Sequence, residues 1–197
     1  KICNMRKLVI ILDPAHGQEV PGKGSPDGTH KEYKWSREIC EKLKTHLTYL
    51  GFRVEITNPT DKEIGLSRRK EFASKVNTNP GEFKFLVSLH NNAAGMGNDW
   101  ANARGFEIYT SPGNTTSDKF AKVILDNLAK DFPSYKNRGT KEANFTVLMG
   151  SGYSAVLIEW LFQDNKEDVK LLQDETTNNK FMDSLVSSFL YINDHLI

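Results

Sequence analysis

The sequence predicts an α/β domain, a mostly parallel sheet covered by helices on both faces. Short apolar runs rich in branched residues alternate with helical patterns from end to end, which is the order that strand–helix–strand units produce. At 197 residues the chain is long enough for one domain with a full core. No internal repeat, low-complexity segment or linker divides it, so residues 1–197 are expected to form a single domain.

Residues 7–12 read as a strand of branched residues. Residues 32–50 read as a helix, with Trp35, Ile39, Leu43 and Leu47 at four-residue spacing and Gly51 as its stop. Residues 52–57 alternate as a strand, and residues 66–76 form a helix with a polar face. Strands are expected at 83–89 and 105–110. In 117–132, Phe120, Val123, Ile124 and Leu128 share one helical stripe that Pro133 ends. Short strands at 145–148 and 154–160 precede helices at 165–172 and 176–195. The polar loops 17–31 and 91–104 are long for such a domain, and long loops beside a sheet rim commonly carry function.

The 26 basic and 25 acidic side chains nearly balance, which argues against a dedicated nucleic-acid binder. No stretch reaches the ~20 apolar residues that cross a bilayer. The chain starts at Lys1 with no signal-like segment before the first strand, so the expectation is a processed or trimmed protein. Cys3 and Cys40 lie outside any metal-ligand spacing; a disulfide and two separate thiols are both open.

Chemistry gathers at the ends of the apolar runs. His16 follows the first of them, His90 ends FKFLVSLH, Glu159 ends SAVLIE, and Glu32 opens a helix after a glycine-rich loop. Ligands of open parallel sheets bind at the carboxyl ends of the strands, so these groups can converge. His16, Glu32 and His90 supply the two-histidine, one-glutamate set used for a catalytic zinc ion. Loop 17–31 can fold back to bring Glu32 beside His16, and the first turn of a helix favours a carboxylate. Each residue alone has an ordinary explanation: Glu32 a helix-end charge, His16 a turn cap, His90 a core histidine bonded to a carbonyl. Together they need three coincidences at one rim. His30 is a substitute ligand two residues from Glu32.

Glu159 follows a run that reads as buried on both faces, where a carboxylate is costly unless paired and its pKa rises toward that of a general base. Its alternative is a buried ion pair, for example with Arg138. With zinc supplying Lewis acidity, Glu159 would take the proton of a water attacking a carbonyl carbon and return it to the leaving nitrogen, which is amide hydrolysis. Rival nucleophiles are weak: Ser88 has no GxSxG elbow, and Gly22-Lys23-Gly24 lacks the phosphate-loop pattern.

In order, the chain carries IILDPAHG, KEYKWSREICEKLK, LSRRKEFAS, FLVSLHNNA, GFEIY, NRGTKEANFTVL and SAVLIEWLFQDN. In this order and spacing, over residues 7–172, they resemble the zinc-dependent N-acetylmuramoyl-L-alanine amidases (amidase type 3) that cleave bacterial peptidoglycan. The resemblance implies a three-layer α/β/α sandwich around a six-stranded sheet and a single catalytic domain. It implies one zinc ion held by His16, Glu32 and His90, and Glu159 as the catalytic glutamate. The bond cut would join N-acetylmuramic acid to L-alanine of the stem peptide. Peptidoglycan is then the expected partner, a monomer the expected state, and the periplasm, cell envelope or exterior the expected location. A bacterial autolysin and a phage-type lysin both fit.

Ala15 stands where a glycine is usual, Asn91 where an alanine is usual, and Trp160-Leu161 where a smaller pair is usual. These departures bear on substrate preference, and Trp160 is expected to narrow the site or stack on substrate. Arg138 and Asn144, in a polar segment matching the cleft side of the family, are expected to contact substrate, Arg138 through a bidentate bond to a carboxylate. Loop 98–104 with Trp100 reads equally as a solvated loop or a specificity loop. A wall-binding relative without catalysis would lack a ligand or the base, and both are present. A different zinc amidohydrolase would share the chemistry.

Overall fold

The run LVIIL leaves no polar face, so β1 (Leu8–Pro14) must be covered on both sides, and it is buried at every position. A computed structural model describes residues 7–96 and 98–197; Cys3 lies outside them. After β1 come α1 (Glu32–Tyr49), β2 (Arg53–Ile56), α2 (Leu66–Lys75), β3 (Phe83–Asn92), β4 (Phe106–Thr110), α3 (Thr116–Asp131), β5 (Asn137–Glu142), β6 (Ser154–Phe162), α4 (Lys166–Gln173) and α5 (Glu175–His195). Among the described residues the strands form one six-stranded sheet in the order β2-β1-β3-β6-β4-β5. Strands β2, β1, β3 and β6 run parallel. β4 lies antiparallel to β6 and parallel to β5, so the β4–β5 end is reversed.

The two faces of the sheet are unequal. Leu8, Ile10 and Leu12 of β1, Phe85, Val87 and Leu89 of β3, and Val156, Ile158 and Trp160 of β6 pack against α1, α3 and α5 in one large cluster. The stripe Trp35, Ile39, Leu43 and Leu47 is the contribution of α1. Residues of the other parity, Ile11, Leu86, Ala155 and Leu157, form a smaller cluster with Ala73 of α2, Val147 and Leu148, edged by the partly buried Val76, Tyr109 and Tyr153. This thin face is where Asp13, Ser88, His90 and Glu159 fall by strand alternation. Asp13 and Ser88 are buried there, whereas His90 and Glu159, nearer the carboxyl ends of β3 and β6, are partly exposed.

One strand lies elsewhere than the sequence predicts. Residues 145–148 do not form a strand; Thr146–Leu148 is a single 3₁₀ turn. The sixth strand is β5, in the segment read as a polar loop. An edge strand exposed along nearly its whole length has no apolar alternation to betray it. The apolar signal of Val147 and Leu148 comes from capping the thin face. Cys40 is a buried free thiol, and burial pushes its pKa up, so it is no nucleophile. Among the described residues no helix is long and apolar enough to cross a membrane.

Candidate metal centre and catalytic cleft

β1 ends at Pro14, and His16 turns the chain left-handed at φ +46°. For a residue with a side chain this conformation costs about 1–3 kcal/mol and needs to be held from outside. Two arginines hold it. Arg37 of α1 donates to the carbonyls of Ala15 (2.8 Å) and His16 (2.6 Å). Arg69 of α2 donates to the carbonyls of Pro14 and His16, the latter at 2.9 Å. Arg69, 1 % exposed, also pairs with Asp13 at 3.0 Å and Glu63 at 3.1 Å. Asp13 further accepts from the Thr57 hydroxyl and from Ser88 at 2.6 Å. Asp13, Arg37 and Arg69 were not singled out from the sequence, although a carboxylate closing an aliphatic run demands a buried counter-charge.

Glu32 is the first residue of α1, and its N–H donates to the Lys23 carbonyl at 3.2 Å. Its Oε1 accepts from the Asn91 N–H at 3.1 Å and lies 3.0 Å from His90 Nδ1 and 3.4 Å from His16 Nε2. Its Oε2 accepts from Gln163 Nε2 at 3.0 Å. Burial pushes the Glu32 carboxyl up, but its bonds with His16 and His90 outweigh burial and hold it well below the usual carboxylate range. Burial likewise pulls His90 down, and Glu32 beside it lifts the imidazole above its ordinary value. One ligand atom from each of His16, Glu32 and His90 lies within 4.8 Å of the others, so the cluster can hold a metal ion. Two imidazole nitrogens and an ionised carboxylate are the donor chemistry that zinc takes. Gln163 and the Asn91 backbone orient Glu32 as outer partners do in such centres. Gln163, too, went unremarked in the sequence.

Glu159 stands opposite His90 across the β3–β6 pair and opposite Glu107 across the β4–β6 pair. Its Oε2 is buried without a hydrogen-bond partner among the described residues. Burial pushes its carboxyl up to about 7; His90 and Lys23 oppose this, while Glu32 and Glu107 add to it. Glu107 is the converse case. It accepts from Asn92 (2.9 Å), Tyr109 (2.7 Å), Arg138 (2.8 Å) and Lys141 (2.6 Å). Burial pushes Glu107 up, but these bonds bring it down to about 2. Neighbouring carboxyls driven apart by their surroundings are the usual signature of acid–base assignment.

His16, Glu32, His90, Glu159 and Gln163 face a cleft of about 440 Å³, walled by Lys23, Leu66, Asn144 and Phe145 among others. Asn144 thus lines the cleft. Arg138 does not line the cleft: its Nε is bound to Glu107 and its guanidinium lies 5.0 Å over the Phe162 ring. The ion pair considered for Glu159 is thus made by Glu107 instead. Trp160 corrects an expectation outright. It is fully buried and stacks on Phe181 with ring centroids 4.3 Å apart. Strand alternation sends it to the thick face, opposite to Glu159, where substrate cannot reach it. His30 is buried 2.8 Å from Asn91 Oδ1 and stands outside the three-residue cluster. Loop 98–104 is pinned near the start of α4, with Ala101 bonded to Asp164 (2.7 Å) and Asn165 (3.0 Å).

The sequence matches the family model described as N-acetylmuramoyl-L-alanine amidase over residues 10–189. The N-acetylmuramoyl-L-alanine amidase AmiC of Neisseria meningitidis is 28% identical, over 98% of this chain and 55% of its own length. The endolysin of Bacillus phage SPP1 is 33% identical, over 89% of this chain and 62% of its own length. The chain thus spans little more than half the length of these curated relatives. Among solved structures, the CwlD amidase from Clostridioides difficile, in complex with the GerS lipoprotein, matches with a TM-score of 0.81 at 26% identity, over 94% of this chain and 99% of that one. The N-acetylmuramoyl-L-alanine amidase from Clostridium difficile 630 shares the fold, with a TM-score of 0.85 at 24% identity over 96% of this chain and 98% of that one. A six-stranded sheet of this topology and a family match that runs through nearly all of it leave one assignment: the chain belongs to the N-acetylmuramoyl-L-alanine amidase family.

Proposed function

We propose that this chain hydrolyses the amide bond between N-acetylmuramic acid and L-alanine in bacterial peptidoglycan, with one zinc ion held by His16, Glu32 and His90. The observation that carries this reading is the convergence of those ligand atoms within 4.8 Å beside the partnerless Oε2 of Glu159. Family membership and relatives that are named as amidases and an endolysin support the substrate. Zinc in this position supplies Lewis acidity, acidifying water and polarising a carbonyl. Glu159 is the base: its free oxygen takes the proton of the water that attacks the carbonyl carbon, and the carboxyl returns it to the leaving nitrogen. Glu32, held ionised by its histidine neighbours, is fixed by Asn91 and Gln163. Asn144 on the cleft wall is the side chain we assign to contact the muramyl peptide. The work is done on the cell wall, outside the cytoplasm, by a monomer.

The test is digestion of purified peptidoglycan by zinc-loaded protein and by Glu159→Ala, with fragments identified by mass spectrometry. Stem peptides with a free L-alanine amine, beside intact glycan strands, are expected from the first and not from the second. Cleavage elsewhere, or none with zinc bound, overturns the substrate. Normal turnover by Glu159→Ala overturns the base.

A further inference from the structure

We propose that Glu107 is a positioning residue that keeps Arg138 and Lys141 of the edge strand β5 off Glu159, so that the base stays unpaired; this rests on the reading of Glu159 as the base. The groups come from three neighbouring strands, β6, β4 and β5. Glu159 of β6 stands directly opposite Glu107 of β4, and on β5 Lys141 stands opposite Tyr109 of β4. Carboxylates directly opposed on a sheet lie close, with Cβ atoms about 4.5–5.5 Å apart, and repel. They would be expected to divide the available donors, but they do not. Glu107 takes Arg138 at 2.8 Å and Lys141 at 2.6 Å, together with Tyr109 and Asn92. Glu159 Oε2 takes none of them.

Arg138 is long enough to reach β6 already. Its guanidinium carbon lies 5.0 Å from the centre of the Phe162 ring, three residues beyond Glu159 on the same strand. Without a charge at Glu107, the carboxylate directly across from it is Glu159. An arginine fork bound there would occupy the oxygen that must accept a proton. Glu107 therefore acts through Glu159 without touching substrate, and its charge matters more than its shape.

A mutant cycle tests this on the zinc-loaded chain, with kcat and KM measured on a soluble muramyl peptide. Four proteins are compared: wild type, Glu107→Gln, the pair Arg138→Met with Lys141→Met, and the triple variant. Glu107→Gln should lower kcat by about 10²-fold, the low end of what a general base contributes, with KM little changed. In the background lacking both cations the same substitution should cost no more than about twofold, the scatter of independent sites. Equal losses in both backgrounds would make Glu107 merely structural and overturn the proposal. Melting curves and zinc content are recorded for each protein. Should Glu107→Gln fail to fold, Glu107→Gln with Arg138→Met replaces it; its kcat should recover when Lys141→Met is added, and no recovery counts against the proposal. Glu159→Ala is run in parallel. If it turns over normally, the reading of the base fails; if it is inactive and the cycle shows no coupling, only the role of Glu107 fails.

Discussion

Arg69→Met strands a buried charge and loosens the chain at His16 in one step. Arg69 is 1 % exposed and donates to Asp13, Glu63 and the carbonyls of Pro14 and His16. Methionine keeps much of the volume and none of the donors. Asp13 then retains only Thr57 and Ser88. Removing one partner of a buried ion pair costs about 3–5 kcal/mol, against a total domain stability of about 5–15 kcal/mol. For a domain of this size each kcal/mol moves the melting temperature by about 2–4 °C, so a fall of roughly 6–20 °C is expected. Calorimetric melts of the zinc-free protein measure it. Asp13→Asn combined with Arg69→Met strands no charge, so the double variant should be more stable than the sum of the singles by about 1–3 kcal/mol. Because Arg37 still holds the His16 carbonyl at 2.6 Å, the clamp is weakened, not abolished. Zinc affinity should therefore fall about 10–100-fold, the usual effect of losing an outer partner. A shift under about 2 °C, smaller than any kcal/mol-scale loss would give, or an unchanged zinc affinity, would refute the account of the arginine clamp.

His90→Ala should lose both zinc and hydrolysis while the thick-face core keeps the fold; metal analysis and peptidoglycan digestion check this, and retained stoichiometric zinc would remove His90 from the ligand set. In the wild type, a chelator should lower the melting temperature, because zinc at a hundredfold excess over its Kd adds about 2.7 kcal/mol to the folded state. Burial raises Glu159 to about 7, so between its ordinary value and about 7 the folded chain holds a proton that the unfolded chain has lost. Stability of the zinc-free protein should thus decline as pH rises through that window. Glu159→Gln should be more stable than wild type above pH 7 by about 1–3 kcal/mol; equal melts at pH 8 would contradict the burial. Glu107 has the opposite sign. Held at about 2, it stabilises the fold at neutral pH, and that contribution should disappear as pH falls toward 2, with Glu107→Gln lacking it.

The elements that chain alternation announces were legible, and so was the rim they share. β1 and β6 carry continuous apolar runs and β3 a largely apolar one because both faces are covered, and a histidine or glutamate at the end of such a run stands out against it. β5 was not legible, since an exposed edge strand draws its stability from β4 hydrogen bonds and from the Glu107 ion pairs, neither of which leaves a periodic trace. Trp160 was misassigned by adjacency: next to Glu159 in sequence, it is on the other face of the strand. Arg37, Arg69 and Glu107 were missed because each acts on a partner distant in sequence: Arg37 and Arg69 on the chain at His16, Glu107 on the two cations of β5. Pairing of that kind is set by topology and has no local pattern.

Charge pairing around the rim also bears on the proposed base. Asp13 is answered by Arg69, Glu32 by His16 and His90, and Glu107 by Arg138 and Lys141. Leaving any of these unpaired in a buried setting would cost several kcal/mol, and the fold spends long side chains from α2, β3 and β5 to avoid it. Glu159 is the carboxylate of this group left with a buried oxygen that has no hydrogen-bond partner among the described residues, although Arg138 already reaches its strand. On the proposed reading, that open oxygen, facing the cleft beside His90, is the one that takes the proton of the attacking water.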